Sequence, residues 1–513
     1  MTERRLKGVN FHGTLRALER RAGAATAERV RVRMEGEGGE ALRTGAILTG
    51  GWYPASWYDA LLVAIEAEGR TPPASVRAVG TSWSFSPVML DPGVMIDVTG
   101  LDRVLPALGS ADVAPGVDAR ELVHVQSGAR IAAVNDALAR AGRSLKTMGG
   151  RGGQTIGGAI ATGSHGSAID LRAPSDTVRG LHLVTTGGRS IWIERKSRPA
   201  VTPGWCVGNA MEYVSSDDAF EGAVVGLGCW GVVASLLVET EPLFHLALHR
   251  FRSRLDACLR RAIRTLELDR RVLKTRDDRP YHFEVVLDPY HATEEGGATI
   301  TAAWKTDAPE GGAAASTNTV PAALGDFLTA LAGLKPGAVP AMLPLLLGAQ
   351  YAERSFTGPL GQCFPANVPS GFRPFAMEVA VDLADAEAAL DVVLAQIGAP
   401  GSYQYPGVVA LRFTRGTGAL LGHTRFDRTC TLELPTLGGI PGTDAFFDRV
   451  REALDRAGIE HCQHFGQSND YSWRRTPESF GPRLDRWRAA RTALLGAGAA
   501  TFSSPTSRRW GLT

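Results

Sequence analysis

Residues 77–87 read RAVGTSWSFSP and residues 149–167 read GGRGGQTIGGAIATGSHGS; what these two stretches bind decides the fold. In the first, the β-type run Val76 to Val79 leads into Gly80, Thr81, Ser82 and Ser84, small residues whose successive N–H groups can turn inward around an anion. Trp83 interrupts that pattern with an indole. The second stretch has too many glycines for a strand and spaces them too irregularly for collagen; glycine lets backbone approach a ligand or take positive φ. Its hydroxyls, Thr155, Thr162, Ser164 and Ser167, offer hydrogen bonds to phosphate or ribose. On residues alone it is an anion or nucleotide site, or a tightly packed structural turn.

A third glycine-rich segment, GLGCWG from Gly226 to Gly231, formally matches the dinucleotide fingerprint. That fingerprint must open a helix. Here VVASLLVETEP follows, β-branched, short and stopped by Pro242, so the match is rejected. No Walker A sequence ending in GK[ST] occurs.

The 513 residues suffice for two or three domains, with 44% hydrophobic and 21% charged residues in the ordinary globular range. A net charge of +2, with Lys and Arg scattered among Asp and Glu, argues against a nucleic-acid partner. Six cysteines (Cys206, Cys229, Cys258, Cys363, Cys430, Cys462) lie far apart with no CxxC pair, which predicts reduced thiols in a cytoplasmic protein and no structural zinc. The N-terminus lacks an apolar h-region and reads as an extra helix rather than a secretory signal. The most apolar window, Ala338 to Gly348, is too short to span a bilayer and carries Pro340 and Pro344. It reads as a lid or pocket lining, with membrane-surface contact as the alternative.

From Gly51 to Pro242 short strand-like runs recur (SVRAVG, VMIDVTG, LVHVQSG, LHLVTTGGRSIWIE, VVASLLVETE), interrupted by helical patterns at Ser56 to Ala67 and Ile131 to Ala141. After Pro242 come an Arg-rich amphipathic segment, Leu255 to Leu273, the strands YHFEVVLD and ATITAAWKT, and a flexible stretch from Glu310 to Thr319. Two strand-then-helix units follow, PFAMEVAVD into LADAEAALDVVLAQIG and CTLELPT into TDAFFDRVREALDRAG. The predicted division is an extension at 1–45, a first domain at 46–242, a second at 243–459, and a segment at 460–513 that returns to the first.

The order of RAVGTSWSFSP, a strand ending in QSGAR, GGQTIGGAIATGSHGS, and SSDDAFEGAVVGLGCWGVVASLLVETEP resembles the flavin-binding domain of the vanillyl-alcohol oxidase (PCMH-type) superfamily. Among its members the sugar-lactone and alditol oxidases look most similar. The resemblance runs from Val76 to Pro242 and weakens beyond. It implies an α+β fold: a two-subdomain FAD-binding domain plus an α+β substrate or cap domain with an antiparallel sheet. It also implies FAD held by Val79, Gly80, Thr81, Ser82, Trp83 and Ser84, by Thr162, Gly163, Ser164, His165 and Gly166, and by Gly150, Thr155 and Gly158. Val232 and Val233 would meet the adenine end. Main-chain donors suffice for the two phosphates without lysines.

Many relatives carry histidine at the position of Trp83 and attach the flavin through it. An indole nitrogen only donates hydrogen bonds, and the 149–158 loop has no cysteine for a second attachment. The expectation is non-covalent FAD, with Trp83 against the dimethylbenzene edge. The alternative is a Trp that plugs the core behind the loop.

On the substrate side the resemblance sets His464-Phe465-Gly466-Gln467 at the place of a His-Trp-Gly-Lys segment. His464 would accept a hydroxyl proton as hydride leaves for flavin, a role suited to a pKa near neutrality; Gln467 hydrogen-bonds without the family's charge. Arg412 matches the arginine of a Glu-x-Arg strand whose glutamate is here Ala410. It holds negative charge on flavin or substrate, or is a solvated strand charge. Glu378, in AMEVAV, matches a glutamate common near the start of the family's second-domain strand-helix unit, but reads first as the partner of a local arginine. His461 and His464 flank Cys462 without a carboxylate constellation, so no metal is expected, and Trp205, Trp230 and Trp304 read as core.

Together these features predict an FAD-dependent oxidoreductase, an oxidase or dehydrogenase acting on CH–OH donors. Its small-molecule substrate would be a bulky or partly apolar alcohol, lactone or secondary metabolite, because Gln467, Ala410 and the apolar segment from Val320 to Ala349 make the pocket less polar. O2 or another acceptor takes the electrons. The alternatives are a flavin-binding non-redox cyclase or isomerase of secondary metabolism, and a sugar-lactone or alditol oxidase proper.

Overall fold

The computed structural model describes residues 5–7, 52–54, 75–91, 93–274, 276–307, 336–364, 374–398 and 403–513. The expected extension helix, the helix at 56–67 and the flexible stretch at 310–319 lie outside the described residues. No helix among those described is long and apolar enough to cross a membrane.

Strands β1 (Arg5–Lys7) and β2 (Trp52–Pro54) pair antiparallel, and β3 (Val76–Val79) pairs parallel with β4 (Val94–Asp97). A second sheet contains β5 (Leu122–Gln126), β6 (Arg143–Leu145), β7 (Val178–Val184), β8 (Ser190–Glu194), β9 (Glu212–Ser215) and β10 (Val232–Pro242), in the order β5-β10-β7-β8-β9 with β6 also on β10. The segment after GLGCWG is thus the long strand β10, as its β-branched composition requires. Helices Ile131–Arg140, Ile156–Ala161 and Asp217–Val224 bury Val134, Leu138, Ile160 and Phe220 in one core with Leu181, Leu183 and Leu236.

Beyond Pro242 the chain builds an eight-stranded antiparallel sheet: β11 (His245–Ser253), β12 (His282–Leu287), β13 (Ala298–Thr306), β14 (Arg354–Pro359), β15 (Pro374–Asp382), β16 (Val409–Arg415), β17 (Arg428–Leu437) and β18 (His461–Gln463). Its order is β14-β11-β13-β12-β16-β17-β15-β18. The two strand-then-helix units are present. Helix Thr443–Arg456 places Phe446, Phe447, Val450 and Leu454 on one face at helical spacing. Helix Ala386–Gly398 does the same with Ala389, Leu390, Val393 and Ile397, and both cover one face of the sheet. The amphipathic segment at 255–273 is two helices, Ala257–Thr265 and Arg270–Leu273, broken where Leu266 takes φ 54°.

Side chains alternate across a strand, so the sheet's other face is fixed by which residues meet the helices. Phe283, Val285, Leu411, Phe413, Leu432, Leu434, Met377 and Val379 lie in the helix-side core. His282, Glu284, Ala410, Arg412, Glu433 and Glu378 therefore share the opposite face. The segment Ser167 to Ile169 stitches the first domain to this sheet: Ser167 Oγ donates to Phe283 O and accepts from Phe413 N–H, and Ile169 N–H donates to Tyr281 O. Ser167 is thereby removed from the hydroxyls expected to reach a phosphate. After β18 the chain packs back on the segment holding Gly222 and Cys229, where Trp487 Nε1 donates to Gly222 O and Arg491 Nε to Cys229 O.

Candidate functional site

A cleft opens between the β3 loop, the turn and helix at 154–162 and the 226–233 segment. Val79, Gly80, Thr81, Ser82, Trp83, Ser84, Thr155, Gly158, Thr162 and Val233 line it. Gly150, Gly163, Ser164, His165, Gly166 and Val232 are not among its lining residues. His165 departs furthest from expectation, turning its ring into the domain seam.

Two glycines set the width of the cleft floor. A Cβ on Gly80 would fall 2.2 Å from Thr155 Oγ1, and one on Gly157 would fall 2.6 Å from Ser127 Cβ; alanine at either position would push the turns apart. Thr155 caps its helix, its Oγ1 accepting from Gly158 N–H, and Thr162 Oγ1 donates to Gly158 O. Ser82 holds φ 58° without being glycine, a conformation kept where function or packing demands it. Trp83 is half-buried on the cleft wall. Trp230 is fully buried and also reaches the cleft, while Trp304 is core and Trp205 is half-buried.

The lining fits a dinucleotide cofactor with many acceptor atoms. Arg77 Nε, Ser127 Oγ and Trp230 Nε1 are buried at the cleft without a hydrogen-bond partner among the described residues, and buried polar atoms ordinarily have one. Arg77 was missed by sequence reading. It is 2% exposed and donates to Leu227 O and Ser504 Oγ, so a guanidinium adds to the main-chain donors.

The C-terminal motif meets this loop directly. Phe85 and Ser86 N–H both donate to Gly466 O, and Ser86 Oγ donates to Phe465 O. His464 sits in the same turn, its Nδ1 accepting from Gly466 N–H at 2.9 Å, which leaves Nε2 to carry the proton of the neutral ring. Burial, reinforced by neighbouring His423, lowers its pKa to about 3. The expected near-neutral pKa is therefore corrected: desolvation keeps this imidazole uncharged, and the proton on Nε2 makes it a donor.

Arg412 is neither solvated nor deprived of carboxylates. Its guanidinium bonds Glu433 and lies 3.5 Å from Glu284. Register explains this: Glu433 pairs opposite Ala410, and Glu284 opposite Arg412. The carboxylate missing from the Glu-x-Arg strand is supplied by its neighbours, so the expected loss of polarity here is also corrected. Burial lowers the Arg412 pKa, but Glu433, Glu378 and Glu284 more than offset it and raise it. Gln467 Nε2 donates to Glu433 Oε1 at 2.8 Å, joining the motif to the cluster. Helix Val339–Gln350 covers the same sheet face, with Leu343 against Val286, Val408 and Ala410 and with Tyr351 beside them.

Glu378 has histidine partners rather than an arginine: His165 Nε2 at 2.9 Å and His423 Nε2 at 3.1 Å. His423 had no sequence signal, being a lone histidine in a loop. His461, by contrast, is fully engaged, its Nδ1 donating to Ile459 O and its Nε2 accepting from Arg475, which separates it from His464.

Residues 53–194 match a family described as FAD binding domain. The L-gulono-1,4-lactone dehydrogenase of Mycobacterium tuberculosis is 32% identical over 232 residues, 45% of this chain and 45% of that protein. An alditol oxidase of a Streptomyces species is 30% identical over 153 residues, 30% of this chain and 32% of its own. The aligned part thus spans less than half the length of these curated relatives. Among solved structures a solvent-stable cholesterol oxidase superposes with a TM-score of 0.65 at 16% identity, covering 89% of this chain and 93% of that one. A cholesterol oxidase of B. sterolicum gives 0.64 at 14%, covering 90% and 94%.

Proposed function

We propose, from the premise that this chain belongs to the vanillyl-alcohol oxidase (PCMH-type FAD-binding) superfamily, that it is an FAD-dependent oxidoreductase acting on a C–OH-bearing carbon. Its substrate is a bulky or partly apolar alcohol, lactone or secondary metabolite, and its FAD is bound without a covalent tether. O2 or another acceptor reoxidises the cofactor, and a cytoplasmic location belongs to the same reading. The observation that carries it is the stapling of the cleft loop at Phe85 and Ser86 onto the His464–Gln467 turn, which joins the cofactor cleft to the Arg412 cluster.

FAD, when bound, supplies the hydride acceptor. The chain's own residues do the rest. Main-chain donors of residues 79–84, with Arg77, hold the diphosphate. Trp83 cannot form a bond through its indole nitrogen and offers an apolar wall. His464 Nε2–H donates a hydrogen bond to a substrate oxygen and orients it. The hydroxyl proton passes to the Glu284 carboxylate, the less engaged of the two flanking Arg412, because neutral His464 offers no acceptor at Nε2. Leu343 of helix Val339–Gln350, with Tyr351, sets an apolar patch over Val286, Val408 and Ala410 beside the cluster, which favours a substrate with an apolar body and one hydroxyl.

Anaerobic mixing of the flavin-loaded protein with a sterol, a long-chain alcohol and a sugar lactone tests this. Bleaching of the flavin by an apolar alcohol supports the reading, and bleaching by the lactone alone shifts the substrate to the sugar class. No bleaching by any, with flavin bound and substrate turned over, establishes the non-redox cyclase alternative.

A further inference from the structure

The seam between the two domains holds a buried cluster that the flavin chemistry does not use. His165 comes from the glycine-rich turn of the first domain, Glu378 from β15, and His423 from the loop between β16 and β17. Their side chains are 1–2% exposed, and one ligand atom from each lies within 4.8 Å of the others. His165 Nδ1 lies 3.0 Å from Gly166 O. A carbonyl only accepts, so Nδ1 carries a proton and the Nε2 of a neutral ring turns its lone pair to Glu378. His423 Nε2 converges on the same oxygen, Oε1. Glu378 Oε2 is buried with no partner among the described residues.

His165 Nε2 and Glu378 Oε1, both acceptors when the ring is neutral, can sit 2.9 Å apart only with a shared proton or a metal ion between them. Two shared protons, one on each imidazole Nε2, would satisfy Oε1 and leave Oε2 unpaired; a metal ion held by both carboxylate oxygens engages every atom. Imidazole nitrogens with a carboxylate suit zinc and its neighbours, whereas calcium and magnesium prefer all-oxygen shells. The Nδ1–H bond of His165 to a backbone carbonyl is the outer contact that orients a ligating histidine. His464, whose ring centre is 4.6 Å from that of His423, has its Nδ1 occupied by Gly466 N–H and stays outside the set.

We propose that His165, Glu378 and His423 form a divalent transition-metal site of the zinc class, pinning the turn of the FAD-binding domain to the cap sheet. It departs from the metal-free expectation drawn from sequence and does not depend on the substrate reading. The full-length protein, dialysed against chelator, is titrated with zinc and with cobalt(II). Uptake of about one equivalent per chain is expected, with weak visible cobalt bands and no intense thiolate charge-transfer band; the latter would indicate cysteine ligation and overturn the assignment. Glu378→Gln and His423→Ala should bind at least about tenfold more weakly, while His461→Ala binds as wild type. Flavin content and melting behaviour report whether each variant folds. Absence of uptake by the wild-type protein overturns the proposal and leaves a proton-bonded triad, as does uptake that survives in folded Glu378→Gln and His423→Ala.

Discussion

Ser86 Oγ donates to the carbonyl of Phe465 at 2.5 Å across 379 residues of sequence. Ser86 is 7% exposed and Phe465 is 1% exposed. Ser86→Ala leaves that carbonyl without its side-chain donor, at a cost of about 1–3 kcal/mol. The loop that lines the cleft should loosen with it. The expected outcome is a lower melting temperature together with several-fold weaker FAD binding, read by flavin fluorescence. A melt that falls while affinity holds would show that the staple supports the fold only.

Trp83 contributes apolar area rather than a bond. Trp83→Phe should keep FAD affinity within a few-fold, whereas Trp83→Ala should weaken it about tenfold, the loss of roughly 1.4 kcal/mol of aromatic packing. Equilibrium titration of apoprotein checks this. Equal affinities for all three proteins would place the indole in the core behind the loop.

Arg412 is the charge that binds Glu433, Glu284 and, through Glu433, Gln467 into one cluster. Arg412→Met strands two carboxylates and should destabilise by about 3–5 kcal/mol. Adding Glu433→Gln should recover much of that stability without recovering activity. Chemical denaturation beside kcat/KM separates the two effects; recovery of both would make the cluster structural.

Acid weakens the folded state through buried neutral histidines. Burial lowers His124 and His282 to about 4 and, with help from His423, His464 to about 3. The unfolded chain protonates these groups near 6.5, so their contribution is fully present above that pH. It is lost as pH falls toward 4 and then 3, at about 1.4 kcal/mol per pH unit for each histidine. Urea midpoints should fall from pH 7.5 to pH 5, and His282→Phe should make the fall shallower. A midpoint constant over that interval would contradict the assignment.

The glycine turns, the strand-helix units and β10 were legible because local chemistry sets them: small residues at tight turns, β-branched runs, helical spacing. The partners of Arg412 were not. They depend on which residue of β12 and β17 falls opposite β16, and register is a property of the assembled sheet. Glu378 was assigned to an arginine because sequence shows abundant arginines nearby but not the seam that delivers His165 and His423 to it. The pKa of His464 was misjudged for a related reason: its tautomer and burial arise from Gly466 N–H and from the returning C-terminal segment. Neither is visible in the motif itself.

The fate of the flavin on acid precipitation tests the central claim most directly. The account predicts purified protein with a flavin absorption band, a colourless acid pellet with all FAD in the supernatant, and apoprotein that regains the band on adding FAD. Colour retained in the pellet would contradict untethered binding, and a protein that neither carries nor takes up FAD would contradict the assignment of the cleft.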